Sequence, residues 1–386
     1  MNLNDYFDPV SLEKPEFSHL KAENTMSRAI TIHTPDNPIR NIADYNIAIY
    51  GVREDRNAFI KGSSPAPDKV REKFYLLASA FKKLRIIDLG NLKNAGSMDD
   101  IYYALRDVTL ELMEKSIVSI IIGGSQDLGI GLARAFENYN SFWNFTTIDS
   151  RIDYESGSSL KFHSGNYLKQ LPQQKNSNNL ILTNLGHQVY FTPLKVIDEF
   201  ESKGYSSHRL GSLRSGLKKS EPFIRDTHIL SIDINAVRQS DAPAGSSPGP
   251  NGFFADELCQ LTRYAGASKN LRSILFSELL PENDPNDHTS HLVAQAIWYF
   301  IEGYSIRIPE TPANGNYKKF IVSTSAADQN LIFYKSNDTD RWWMEVPVKD
   351  PLSGKDYIFS CSYEDYQRAC TNEIPDKWWN LMRRFS

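Results

Sequence analysis

The segment TTIDSRIDYE (146–155) places Asp149 and Asp153 four positions apart at the end of an apolar run, with Arg151 midway between them. Carboxylates at that spacing after a buried strand suit a hard divalent cation, whose preferred ligands are oxygens. Arginine is the one side chain there that cannot ligate a metal, because it stays protonated at any usable pH. A catalytic metal site, a broken one and an ordinary ion pair all remain open. Taken alone, the segment reads as a strand-end ion pair.

The elements that must position these residues are legible as short, nearly continuous apolar runs. They are YNIAIYGV (45–52), LRIIDLG (84–90), IVSIIIGG (117–124), WNFTTID (143–149), NLILTNLG (179–186), THILSIDIN (227–235) and RSILFSEL (272–279). Continuous rather than alternating character is expected of strands covered on both faces of a parallel sheet. Between them PDKVREKFYLLASAFKKL, MDDIYYALRDVTLELMEKS, DLGIGLARAFENY and HTSHLVAQAIWYFIEGY carry helical spacing, the last with Asp287 placed to cap it. The alternation predicts an α/β class with a doubly wound sheet. Such sheets bind ligands outside the carboxyl ends of their strands. Polar clusters follow four strands (GGSQD, DSRID, DIN and SELLPEND), so they are expected to meet in one crevice.

From about residue 310 the texture changes to antiparallel-looking strands and a short aromatic helix, and Trp342, Trp343, Trp378 and Trp379 all fall there. The expected organisation is an N-terminal segment (1–44), an α/β domain (45–309) and a C-terminal extension (310–386) packed on or appended to it. Its tryptophan pairs read first as core plugs and second as a partner surface. With 386 residues and 40% apolar composition, the chain can bury a large core. A net charge of −4 without long runs of one sign gives no reason to expect nucleic acid. Cys259, Cys361 and Cys370 have no zinc-like or CxxC spacing, which suits a reducing cytoplasm. The polar N-terminus lacks a signal-peptide pattern, and no run is long enough for membrane insertion. A cytoplasmic location is the resulting expectation.

The strand-end clusters, taken in order, resemble those of the ureohydrolases (arginase, agmatinase and formimidoylglutamase), with formimidoylglutamases nearest. The likeness covers roughly residues 45–305, and GVREDRN, PAPDKVR, IIDLGN and APAGSSPGPNGF are similar to further family elements. It implies a three-layer α/β/α arginase-like fold and hydrolysis of guanidino or formimino C–N bonds with two Mn²⁺ ions. The family's GG[DG]H, DxHxD and SxDxD signatures stand here as Gly123-Gly124-Ser125-Gln126, Asp149-Ser150-Arg151-Ile152-Asp153 and Ser231-Ile232-Asp233-Ile234-Asn235. The resemblance implies that one ion would face Gln126, Asp149, Asp153 and Asp233, an oxygen set that a hard ion tolerates. The second would face Arg151 and Asn235, where its histidine and last aspartate are gone. SGNYL (164–168) resembles the substrate-contacting SGNxH loop with Leu168 for histidine, leaving Ser164 and Asn166 as substrate contacts. Glu278 takes the place of a strand-end glutamate that meets the substrate's guanidinium.

From these departures the sequence predicts a degenerate site. Arg151 is expected to stand in the second metal's place, paired with the two carboxylates that would have bridged that metal, because buried acids need a counter-charge. Asp149, Asp153, Asp233 and Glu278 would be remnants of a catalytic set no longer intact. The expectation is a pseudoenzyme with no cofactor, acting as a scaffold, regulator or binder of a protein, a guanidino compound or an amino acid. The competing expectation is a divergent hydrolase using a single Mn ion. The resemblance also implies a homo-oligomer, trimeric or hexameric. His163, His187, His288 and His291 match no family ligand position and read as structural or capping residues.

Overall fold

The β-branched runs pair into one sheet because each buries both faces, which leaves neighbouring strands as the only partners for their backbone groups. In the computed structural model, residues 1–11, 20–81, 83–155, 161–174, 177–312, 316–325 and 330–385 are described. Residues 12–17 of the polar N-terminus and Lys82 lie outside them. The strands are β1 (Phe7–Asp8), β2 (Thr31–Ile32), β3 (Ile47–Val52), β4 (Ile86–Leu92), β5 (Val118–Gly123), β6 (Trp143–Ile148) and β7 (Leu180–His187). They continue as β8 (Ser206–Arg209), β9 (Ile229–Asp233), β10 (Ser273–Ser277), β11 (Tyr317–Val322), β12 (Leu331–Ser336), β13 (Trp342–Lys349) and β14 (Asp356–Cys361).

The main sheet has ten strands in the order β1-β4-β3-β5-β10-β9-β6-β7-β8, with β2 alongside β4. Every pairing in it is parallel except that of β1 with β4. Two apolar clusters, one on each face, complete three layers. One gathers helices Ala66–Phe74, Ala255–Ala267 and His288–Ser305. The other gathers helices Met98–Glu114 and Leu194–Ser202. This is the doubly wound fold expected of the sequence, and the N-terminal segment adds β1 and β2 to its edge. The segment from β11 to β14 forms a separate antiparallel meander. It closes with helices Tyr363–Cys370 and Asp376–Phe385 over its own apolar cluster, which also takes in Phe142 and Ile181.

Two local expectations change. The helix expected over 67–84 spans only Ala66–Phe74, because the Met26 and Ser27 N–H groups donate to the carbonyls of Leu77 and Tyr75. The cap of His288–Ser305 is Asp284 rather than Asp287. Asp284 accepts from the Thr289 and Ser290 N–H groups at 2.7 and 2.8 Å, while Asp287 sits in the left-handed region without a capping bond.

One buried pair ties a helix to the sheet. Arg71 and Asp88 have fully buried side chains, and Nε and Nη2 donate to the two carboxylate oxygens at 2.8 and 3.1 Å. The guanidinium also donates to the Gly90 carbonyl and to Asn91, and the Tyr75 hydroxyl donates to Asp88. Arg71→Met leaves Asp88 buried without its cation. Urea titration should show a loss of about 3–5 kcal/mol, the usual cost of removing one partner of a buried pair. A loss below about 1 kcal/mol would mean that water replaces the guanidinium.

Candidate active site

Four adjacent strands of the sheet, β5, β10, β9 and β6, end on the same edge, and the residues after them meet there. The chain leaves β5 through Gly124, where an added Cβ would lie 1.8 Å from the Glu54 carbonyl oxygen. That close approach fixes the turn and delivers Gln126. Glu278 follows β10 at φ +64°, a strained conformation for a non-glycine residue. It is held by its own N–H on the Gly124 carbonyl and by the Gln126 N–H on its Oε1, both at 2.9 Å.

Asp149, Asp153, Asp233 and Glu278 are all buried. Burial, then the neighbouring Asp153 charge, pushes Asp149 well above the usual carboxylate range. Burial, then Asp233, pushes Asp153 up to about 8. Burial, then Asp149 and Glu278, raises Asp233 likewise, and burial raises Glu278 against the hydrogen bonds that it accepts. Among the described residues no lysine or arginine forms an ion pair with any of the four.

The Gln126 amide reaches two of these acids, 3.2 Å from Asp149 Oδ2 and 3.1 Å from Asp153 Oδ2. With its nitrogen turned inward it donates to both. With its oxygen inward, three oxygens converge on one point, an arrangement that only a proton or a cation stabilises. Among the described residues no group of three or more His, Cys, Asp or Glu side chains is arranged to hold a metal ion. The converging corner is instead two carboxylates and an amide, with Asp233 coupled to it electrostatically. With the amide oxygen inward, this corner of buried acids without ion-paired cations offers an all-oxygen set to one hard divalent cation.

The position of a second ion does not fit. Asn235 Nδ2 donates to Asp233 Oδ1 at 2.7 Å and to Ser246 Oγ at 2.9 Å, and its Oδ1 accepts from the Ser247 N–H at 2.6 Å. Its amide is therefore fully committed to protein partners. Arg151 corrects the sequence reading more sharply. Its backbone N–H bonds Asp149 Oδ1 at 2.8 Å, but the guanidinium lies 5.2 Å from the centre of the Phe191 ring, with Nη2 3.4 Å from Ser247 Oγ. The expected pairing with the metal-bridging carboxylates is absent, because an aromatic face and a hydroxyl hold the guanidinium at the wall.

A cavity of about 260 Å³ opens above this floor. Gln126, Arg151, Asp153, Asp233, Asn235, Glu278 and Ser164 line it. Asp149 does not line it, and Asn166 is turned away: its amide caps its own loop through the His163 N–H and the Lys161 carbonyl. Phe59, Phe191, His163, Ser246 and Ser247 also line the cavity, and sequence reasoning did not single them out as site residues. The two serines belong to APAGSSPGPNGF, so their loop carried a signal, whereas Phe191 carried none. His163 is a hydrogen-bonded structural residue as expected, its Nδ1 accepting from the Gly165 N–H at 3.0 Å.

Sequence and structure comparisons agree with this architecture. The Arginase family model matches residues 45–302, and the chain belongs to the arginase family. Among curated proteins it is similar to formimidoylglutamase of Staphylococcus haemolyticus (strain JCSC1435), 21% identical over 62% of this chain and 79% of that one. It is also 21% identical to formimidoylglutamase of Bacillus subtilis (strain 168), over 49% of this chain and 62% of the relative. In solved structures the fold matches B. subtilis formimidoylglutamase with a TM-score of 0.66 at 20% identity, covering 78% of this chain and 97% of the other. It matches Trypanosoma cruzi formiminoglutamase with Mn2+2 with a TM-score of 0.64 at 19% identity, covering 70% and 97%. These relatives are hydrolases, so they favour the hydrolase expectation over the inactive one. The expectation of no cofactor is overturned by the manganese in the T. cruzi structure. Among the described residues no helix is long and apolar enough to cross a membrane.

Proposed function

We propose that this chain is a divergent hydrolase of a formimino or guanidino C–N bond, formimidoylglutamase-like, working with a single divalent cation at Gln126, Asp149, Asp153 and Asp233. The observation that carries the reading is the convergence of the Gln126 amide on Asp149 and Asp153, beside the buried Glu278 on the same cavity floor. Bound there, a divalent cation would act as a Lewis acid and make water a better nucleophile. The protein's own groups divide the remaining work. Glu278 accepts the N–H groups of a cationic amidine, oriented by the Gln126 N–H. Asp149, Asp153 and Asp233, whose burial favours the protonated forms, would release those protons on holding the cation. Ser164 and Ser246 add hydroxyls at the same depth. Arg151 is the one guanidinium or ammonium among the described lining residues, and it would receive a carboxylate at the other end of the ligand. Assembly as a trimer or hexamer belongs to the same proposal, by family resemblance alone.

A second reading is a ligand-binding protein without turnover. It is favoured by the committed Asn235 amide, which leaves no place for a second ion. One experiment separates the two: elemental analysis after dialysis against Mn²⁺, followed by NMR detection of formamide and glutamate released from N-formimino-L-glutamate. About one Mn per chain with product above blank is the expected result. Substrate binding without product selects the second reading, and neither Mn nor binding removes both.

A further inference from the structure

The C-terminal meander lies beyond the family match, which ends at residue 302, and it creates a second cavity where it meets the α/β domain. This cavity, about 760 Å³, runs between helices Glu221–Asp226 and Ala255–Ala267 on one side and β13, β14 and helix Tyr363–Cys370 on the other. Its size is within the range of small-molecule sites. It is separate from the strand-end cavity, with which it shares no lining residue.

The charge on its walls is unevenly matched. Arg225 is 6% exposed, and its Nη2 donates to the Trp342 and Cys361 carbonyls at 3.0 and 3.3 Å. Its guanidinium lies 4.6 Å from the centre of the Trp343 ring, and its Nη1 has no hydrogen-bond partner among the described residues. Glu221 Oε1 is shared by two guanidiniums at long range, Arg225 Nε at 3.3 Å and Arg341 Nε at 3.8 Å. Arg341 reaches Glu310 only at 3.6 Å. Lys218 and Lys219 also line the cavity, and neither has an ion pair among the described residues. Asp340, an acid on the same wall, is already taken by Lys335 at 2.6 Å. A guanidinium with an idle donor and only long ion pairs, in a half-dry cleft, is a usual recognition element for phosphate or carboxylate. Beside it stand Trp342, stacked on Tyr366 at 4.8 Å, and the half-exposed Tyr363, 5.4 Å from Trp342. Aromatic faces next to cations favour a flat ring carrying the anion.

We propose that this seam is a second ligand site, taking a planar anion whose phosphate or carboxylate sits between Arg225 and Arg341 and whose ring packs against Trp342 and Tyr363. The inference is independent of the hydrolase reading. It is tested by calorimetric titration of the full chain with AMP, adenosine and pyrophosphate, followed in parallel by tryptophan fluorescence. AMP should bind saturably with a Kd below about 1 mM, with adenosine and pyrophosphate each about tenfold weaker or more. Arg341→Gln and Lys218→Glu should each weaken AMP by about fivefold or more, and added salt should weaken it in the wild type. Lys218 is exposed, so its variant keeps the test valid should Arg341→Gln fail to fold. No saturable AMP binding, pyrophosphate binding as tightly as AMP, or an affinity unchanged in the folded variants would each overturn the proposal.

Discussion

On acidification from pH 7 to pH 4, the wild type should lose stability relative to His228→Asn, because the substitution removes that histidine's share of the pH dependence. His228 is buried, its Nδ1 accepts the Asn144 N–H at 3.1 Å, and its ring sits edge-on to Phe136 and Tyr139. Burial, then the Arg272 charge, lowers its pKa to about 3. An imidazole kept neutral in the fold but free to charge when unfolded contributes its stability in full above pH 6.5. That contribution drains away as pH falls toward about 3, because the unfolded chain binds the extra proton. From 6.5 to about 3 the full loss is on the order of 5 kcal/mol, at 1.36 kcal/mol per unit. Domains have about 5–15 kcal/mol in all, so this one group is a large share of the total. His208, lowered to about 4 by burial and by Lys377, adds in the same direction. The strand-end carboxylates act oppositely, since protonation relieves their repulsion as pH falls. The readout is therefore the difference between wild type and His228→Asn in urea melts at pH 7 and pH 4. Asparagine keeps an acceptor for Asn144, so a cost equal at both pH values would show that His228 is only a packing residue.

The strand alternation was enough to predict the sheet and the edge on which the polar clusters meet, because parallel strands buried on both faces leave a continuous apolar signal. The terminal strands were not legible. β1 and β2 have two residues each, and β8 reads as polar. Two of the resembling elements, PAPDKVR and IIDLGN, proved to be halves of one structural device: Arg71 from the first and Asp88 from the second form the buried pair. Sequence spacing gives no hint of that, since the partners are joined through tertiary packing. Arg151 illustrates the limit best. Its neighbours in sequence suggested an ion pair, but its side chain is held by Phe191 and Ser247, about 40 and 96 residues away in the chain. A charge flanked by two opposite charges predicts pairing only when nothing else competes for it.

Restoring the missing ligand types should turn a one-ion site into a two-ion site. The triple variant Gln126→His, Arg151→His, Asn235→Asp should raise Mn from about one to about two per chain in elemental analysis. The intermediate variants make the argument physical. Asn235 now donates to Asp233 Oδ1, and Asn235→Asp alone replaces that donor with another carboxylate in an already crowded cluster. Without Mn²⁺ this single variant should lose about 1–3 kcal/mol, the cost of an unmet buried polar group. Arg151→His removes a cation from the cavity wall and frees the Phe191 face, leaving that space to an ion. Metal-free, the triple variant should therefore be less stable than wild type. Mn²⁺ should raise its melting temperature by more than it raises the wild type's, because the bound cation discharges a larger set of acids and releases more protons. Proton release measured in weakly buffered solution gives a second readout that does not depend on turnover. Unchanged Mn stoichiometry in a folded triple variant would mean that positions 151 and 235 do not face an ion. The strand-end cluster would then be a single-ion site by its backbone geometry and not merely by its present side chains.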